Sequence, residues 1–143
     1  MLPVPSNVTS RDSGAKMPAT LNLTLIAIGG AIGALARYFL GAAIHTTWPT
    51  KIPYGTLLIN VLGSFLLGTL FVLVSERQLL PAQWRPLVMV GFLGAFTTFS
   101  TFSVEVVNLM DNGHQLHAAL YFLLSVVLAI GGAALGIWMT RHI

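Results

Sequence analysis

Five hydroxyl side chains occupy seven consecutive positions of this 143-residue chain: Thr97, Thr98, Ser100, Thr101 and Ser103. Gly91 and Gly94 precede them, and the flanking sequence is apolar. Such a run forms helix poorly, because glycine loses backbone freedom and Ser/Thr offer the backbone competing hydrogen bonds. If it lies at membrane depth, an interrupted helix there is tolerated only where it is buried in protein or lines a cavity. The first half-helix would end in unpaired carbonyls near Gly94 and Thr97, which suit a cation. The second would begin with free N–H groups, which suit an anion. The alternative is an intact helix whose hydroxyls bond back to carbonyls one turn earlier. Phe99 and Phe102 are three apart and share a face if helix resumes after the interruption. An aromatic ring is positive at its edge, so ring edges beside amide and hydroxyl donors would stabilise a small, partly dehydrated anion. Packing or lipid contact is the plainer use of such phenylalanines.

Polar groups recur on other apolar stretches. Thr56, Asn60, Ser64 and Gly68 stand four apart on an otherwise Leu/Val/Phe-rich segment. A buried asparagine amide needs partners, so Asn60 faces protein, water or a ligand; interhelical hydrogen bonding is the competing use. Gly29, Gly33, Arg37 and Gly41 share one helix face, where the glycines permit close helix approach. Arg37 is either functional or a snorkelling residue near a helix end. Tyr121, Ser125, Ala129, Gly132 and Gly136 form a third stripe, for which packing is the simpler use. Glu105 reads as a functional carboxylate or as an interfacial one.

These residues need long apolar elements to position them, and the composition supplies little else. The chain is 55% hydrophobic and 8% charged, with mean hydropathy +0.82. A soluble domain carries about 25% charged residues, so the chain is read as a small integral membrane protein. Stretches 21–44, 54–75, 87–110 and 118–140 are long enough to cross about 30 Å of hydrocarbon, giving four transmembrane helices and an all-α fold. Short loops fall near 45–53, 76–86 and 111–117. Residues 1–18, rich in Pro, Ser and charge, read as a flexible tail, leaving 19–143 as the membrane domain. Arg11, Lys16, Arg77, Arg85 and Arg141 lie on the side of the termini, against Arg37 and Lys51 on the other. That bias favours a cytoplasmic N-terminus, yet is weak enough for insertion in both orientations. A net charge of +3 scattered over loops makes no nucleic-acid patch. With no cysteine and four scattered histidines, thiolate and histidine metal sites are excluded. No nucleophile–base set, carboxylate pair or phosphate loop supports an enzyme.

Three motifs carry a resemblance: GGAIGALARY at 29–38, GTLLINVLGSFLLG at 55–68 and GFLGAFTTFSTFS at 91–103. Together with the four-span layout they resemble the CrcB/Fluc family of fluoride channels over residues 21–143. The resemblance implies a dual-topology homodimer of antiparallel subunits, each with its third helix broken mid-span. It implies two fluoride pores per dimer, passive export through the cell (inner) membrane, and a structural sodium ion at the dimer centre. Backbone carbonyls at positions matching Gly94 and Thr97 would hold that ion. Asn60, Phe99 and Phe102 match pore positions, as do Ser125 and Tyr121 on the fourth helix, and Thr56 and Ser64, on the polar stripe of the second, are expected to line the pore with them. Arg37 and Glu105 match vestibule positions. Ala95 stands where the family often has a second glycine.

Two other readings come from different classes. A proton-coupled small four-helix exporter would need an embedded acid in the first span, where this chain has Arg37 instead. A non-transporting scaffold packing through its glycine faces would not need the clustered donors of the third span.

Overall fold

The computed structural model describes residues 17–143. The expected tail therefore lies outside the described residues, apart from Met17 and Pro18. Helix α1 is Ala19–Thr47. Helix α2 is Tyr54–Phe71, continued by a π-wound turn, Val72–Glu76. After a 3₁₀ turn at Ala82–Trp84, α3 comprises Pro86–Leu93, which is π-wound, and Gly94–Phe96. Helix α4 is Phe99–Asp111 and α5 is Gln115–His142. Among the described residues, four helical stretches are long and apolar enough to cross a membrane: Ala19–Thr47, Tyr54–Glu76, Ala82–Asp111 and Gln115–His142. Among the described residues there is no strand.

Local chemistry sets the ends of these elements. Pro18, Pro53 and Pro81 stand immediately before helical segments and Pro86 begins one, where a missing N–H costs nothing. The α4–α5 turn closes through Gly113, at φ +75°. Its N–H bonds the Met110 carbonyl at 3.0 Å, and His114 N–H bonds the Leu109 carbonyl at 2.8 Å. This pair of bonds is a Schellman cap, and its left-handed residue favours glycine.

Two helix pairs carry the packing, α1 on α3 and α2 on α5. Membrane helices gain little from apolar burial alone, so close van der Waals contact between small residues drives their association. A methyl group added at Gly33 would collide with the Phe92 carbonyl of α3, and one at Gly136 with the Phe65 carbonyl of α2. The glycine stripes of the first and fourth spans are thus the seams of the helix packing. Leu57, Phe102, Leu109, Ala118 and Tyr121 form one buried cluster, and Ile59, Leu93 and Phe96 another. These clusters anchor the chain on both sides of residues 97 and 98.

Candidate functional site

Between α3 and α4 the backbone is extended. Thr97 has φ −77° and ψ 156°, and Thr98 has φ −150° and ψ 116°. Asn60 of α2 meets this segment with both ends of its amide. Its Nδ2 donates to the Thr98 carbonyl at 3.0 Å, and its Oδ1 accepts from Thr98 N–H at 2.8 Å. Thr98 also caps α4: its Oγ1 accepts from Thr101 N–H at 3.2 Å and donates to Thr101 Oγ1 at 2.9 Å. Such a cap satisfies one of the orphan donors of a helix start.

These bonds redirect the helix's own donors. In continuous α-helix, Thr98 N–H would serve the Gly94 carbonyl and Thr101 N–H the Thr97 carbonyl. Here the first goes to Asn60 and the second to the Thr98 hydroxyl. The carbonyls at 94 and 97 thus lose their i+4 partners, leaving two oxygens of the kind a hard cation takes. Gly94 itself is helical, with φ −62° and ψ −34°. An added Cβ there would meet only the Met89 carbonyl, at 3.8 Å. Within the chain, neither conformation nor clearance for a Cβ requires glycine at 94. Thr97 Oγ1 bonds back to the Leu93 carbonyl at 3.0 Å, and Ser103 Oγ to that of Phe99 at 2.9 Å. Back-bonding by hydroxyls therefore coexists with the extended residues.

A groove of about 340 Å³ runs beside this segment and is lined by Asn60, Ser64, Thr97, Thr98, Phe99, Phe102 and Ser125, among others. Five of the seven expected pore residues meet there. Ser125 is 5% exposed, and its Oγ is buried without a hydrogen-bond partner. The Phe99 and Phe102 rings lie 5.6 Å apart, tilted by 52°. Phe102 is buried against the Tyr121 ring at 5.4 Å, whereas Phe99 is 78% exposed. The groove thus combines apolar walls with few donors, and is open along one side.

The remaining two expected pore residues engage Glu105. Thr56 Oγ1 donates to Glu105 Oε1 at 2.9 Å, and Tyr121 O–H donates to Oε2 at 2.6 Å. Their hydroxyl hydrogens are spent on the carboxylate, whose charge strengthens both bonds. Glu105 consequently ties α4 to α2 and α5. It borders two cavities: one of about 500 Å³ also lined by Arg37, His45, Tyr54 and Thr56, and one of about 360 Å³ lined by Lys51, Asn108, Asn112 and His114. Arg37 shares the larger cavity with Glu105 but forms no ion pair with it. Among the described residues no cluster of His, Asp and Glu could hold a metal ion through side chains.

Sequence reasoning missed the structural part played by Thr98. Its signal was present: a threonine directly before a resumed helical pattern is a preferred cap. The His45 and Tyr54 walls of the larger cavity had no comparable signal, because they converge from different helices.

The family model described as "CrcB-like protein, Camphor Resistance (CrcB)" matches residues 24–137. A protein named "Fluoride-specific ion channel FluC" from Magnetococcus marinus is 48% identical over 123 residues, covering 86% of this chain and all of that protein. A protein of the same name from Hahella chejuensis is 48% identical over 122 residues, covering 85% of this chain and 96% of the relative. One from Coxiella burnetii is 44% identical over 124 residues, with 86% of this chain and all of the relative covered. With four membrane-spanning helices and these matches over most of its length, the chain is a multi-pass membrane protein that belongs to the CrcB family.

Proposed function

We propose that this chain is a fluoride channel that conducts fluoride passively and selectively out of the cell across the inner membrane. The observation that carries the reading is the groove at residues 97–102, where Asn60, the unpartnered Ser125 hydroxyl and two phenylalanine rings converge midway along the third span. Fluoride is small and strongly hydrated, so a path must replace water with donors at several points and still let the ion leave. Neutral amide, hydroxyl and ring-edge groups do this without the tight hold of a fixed ammonium. Relatives that bear the name of fluoride-specific channels support the same ion.

The working unit in this reading is a dual-topology homodimer, with two pores between antiparallel subunits. A single subunit leaves Phe99, Ser100 and Thr101 exposed at the centre of the third span, and hydroxyl groups at that depth require a protein or aqueous neighbour. A second copy facing the first would cover them and complete the walls of the groove. It would also bring a second pair of carbonyls from Gly94 and Thr97 to the first. Four such oxygens suit a sodium ion, whose charge would be structural and would not permeate. Arg37 and Glu105 line the entrance in this scheme, and Glu105 holds Thr56 and Tyr121 in place. No catalysis is assigned to the chain.

The test is growth of a fluoride-sensitive bacterial strain lacking its own fluoride exporter. Expression of this chain restores growth at raised fluoride, and expression of the Asn60→Asp variant does not. Failure of the wild-type chain to restore growth, with the protein present in the membrane, would overturn the reading.

A further inference from the structure

The end of the molecule remote from Glu105 carries an arginine cluster in which one carboxylate is already taken. Arg141 of α5 holds Glu76, at the end of α2, with both Nε and Nη2, the Nε contact being 2.8 Å. Arg77 donates through Nη2 to the Arg141 carbonyl at 2.8 Å, and Arg85 through Nη2 to Ser75 Oγ at 3.1 Å. Three guanidinium groups are therefore gathered around residues 75–77, while Glu76 is the one side-chain carboxylate opposing them among the described residues there. Arg77 and Arg85 spend a single donor each on neutral oxygens. A guanidinium offers five N–H groups, so most of theirs stay free, in the fork geometry that matches phosphate.

The cluster is exposed, and exposed apolar side chains lie on the same turn. Gln78 adopts φ +52°, a left-handed turn that folds the following residues back. Leu79 and Leu80 N–H both bond the Leu73 carbonyl, at 2.9 and 3.3 Å. Although the turn is pinned, it presents Leu79 at 64% exposure, and Trp84 beyond it is also exposed. Tryptophan at a span end marks the headgroup layer. Free arginine donors beside outward leucine and tryptophan fit a surface that meets phosphate and acyl chain together.

We infer that Arg77 and Arg85, with Leu79 and Trp84 beside them, form a binding site for an anionic glycerophospholipid, the guanidinium groups taking its phosphate and the apolar side chains its upper acyl region. Each basic residue near an anionic leaflet gains a modest attraction. Two of them amount to a preference of about thirtyfold for an anionic over a zwitterionic headgroup. The inference rests on this patch alone and is independent of the fluoride reading.

The test is native mass spectrometry of the purified full chain with equal amounts of phosphatidylglycerol and phosphatidylcholine of matched chains. Wild type should retain phosphatidylglycerol about thirtyfold over phosphatidylcholine. The Arg77→Gln/Arg85→Gln variant should fall to within about twofold, and Lys51→Gln, at the opposite end, should keep the preference. If the double variant does not fold, Arg85→Gln alone should lose about fivefold. No preference in wild type, or an equal loss in Lys51→Gln, would overturn the site. So would displacement of the lipid by inorganic phosphate at matched concentration, which would mark a site for free anions.

Discussion

Replacing Asn60 with Asp changes one side-chain atom group and should disable the channel. Asn60 now donates to the Thr98 carbonyl and accepts from Thr98 N–H. A carboxylate keeps the second bond but turns an acceptor toward a carbonyl oxygen that stood 3.0 Å from the amide nitrogen. Leaving that carbonyl unpaired costs about 1–3 kcal/mol in stability. The effect on an anion is larger. A unit negative charge about 4 Å from a passing fluoride, at an effective dielectric near 20, raises its energy by about 4 kcal/mol. At about 1.4 kcal/mol per decade, occupancy at that point falls roughly 10³-fold. Fluoride efflux from liposomes should therefore drop to background, while size-exclusion chromatography still shows the wild-type assembly. Asn60→Leu separates the two effects: it removes both bonds without adding charge, so it should lower thermal stability more than Asn60→Asp and flux less. Wild-type flux in Asn60→Asp would refute the placement of Asn60 beside the ion.

Other perturbations follow from the same geometry. Gly136→Val should strongly destabilise the protein by forcing α5 away from the Phe65 carbonyl, and Gly33→Val should do the same at the α1–α3 seam; melting in detergent reads both. Tyr121→Phe removes the donor to Glu105 Oε2 and should cost about 1.5–3 kcal/mol, the range for a hydrogen bond to a charged group, in denaturant unfolding. The Cβ of Gly94→Val meets nothing within the chain closer than 3.8 Å, so circular dichroism should be unchanged. If a second copy packs there, chemical cross-linking between subunits should be lost, and unchanged cross-linking would place the dimer interface elsewhere.

Much of this arrangement was legible in the chain because membrane helices expose their exceptions. Thr56, Asn60 and Ser64 stand out on an apolar helix, and the spacing that put Asn60 and Ser64 on one face also puts them along one groove. The glycines at 33 and 136 were readable for the same reason: an apolar helix gains close packing only where side chains are absent. The hydroxyl-rich run contains both extended residues, Thr97 and Thr98.

What escaped sequence reasoning depends on contacts between distant residues. Spacing alone could not say that Thr56 and Tyr121 would turn their hydroxyls to Glu105, because that meeting joins residues 49 and 16 positions apart. Nor could it say that Asn60 would take the Thr98 N–H and so release the Gly94 carbonyl. The dihedrals of Gly94 are those of any helical residue, which its place before the hydroxyl run could not reveal. The π winding of Pro86–Leu93 left no mark in composition either; it accompanies close contact with α1, where Gly91 would bring a Cβ within 2.7 Å of the Ile26 carbonyl.

Passive, selective conduction is the central claim, and an electrical circuit tests it most directly. Purified protein is reconstituted into liposomes loaded with potassium fluoride and potassium chloride at equal pH inside and out, and valinomycin is added to let potassium follow. The account predicts that fluoride leaves at once when valinomycin completes the circuit, that chloride stays behind, and that no proton gradient is needed. Fluoride that remains inside until a proton gradient is imposed, or chloride that leaves alongside it, would contradict the account.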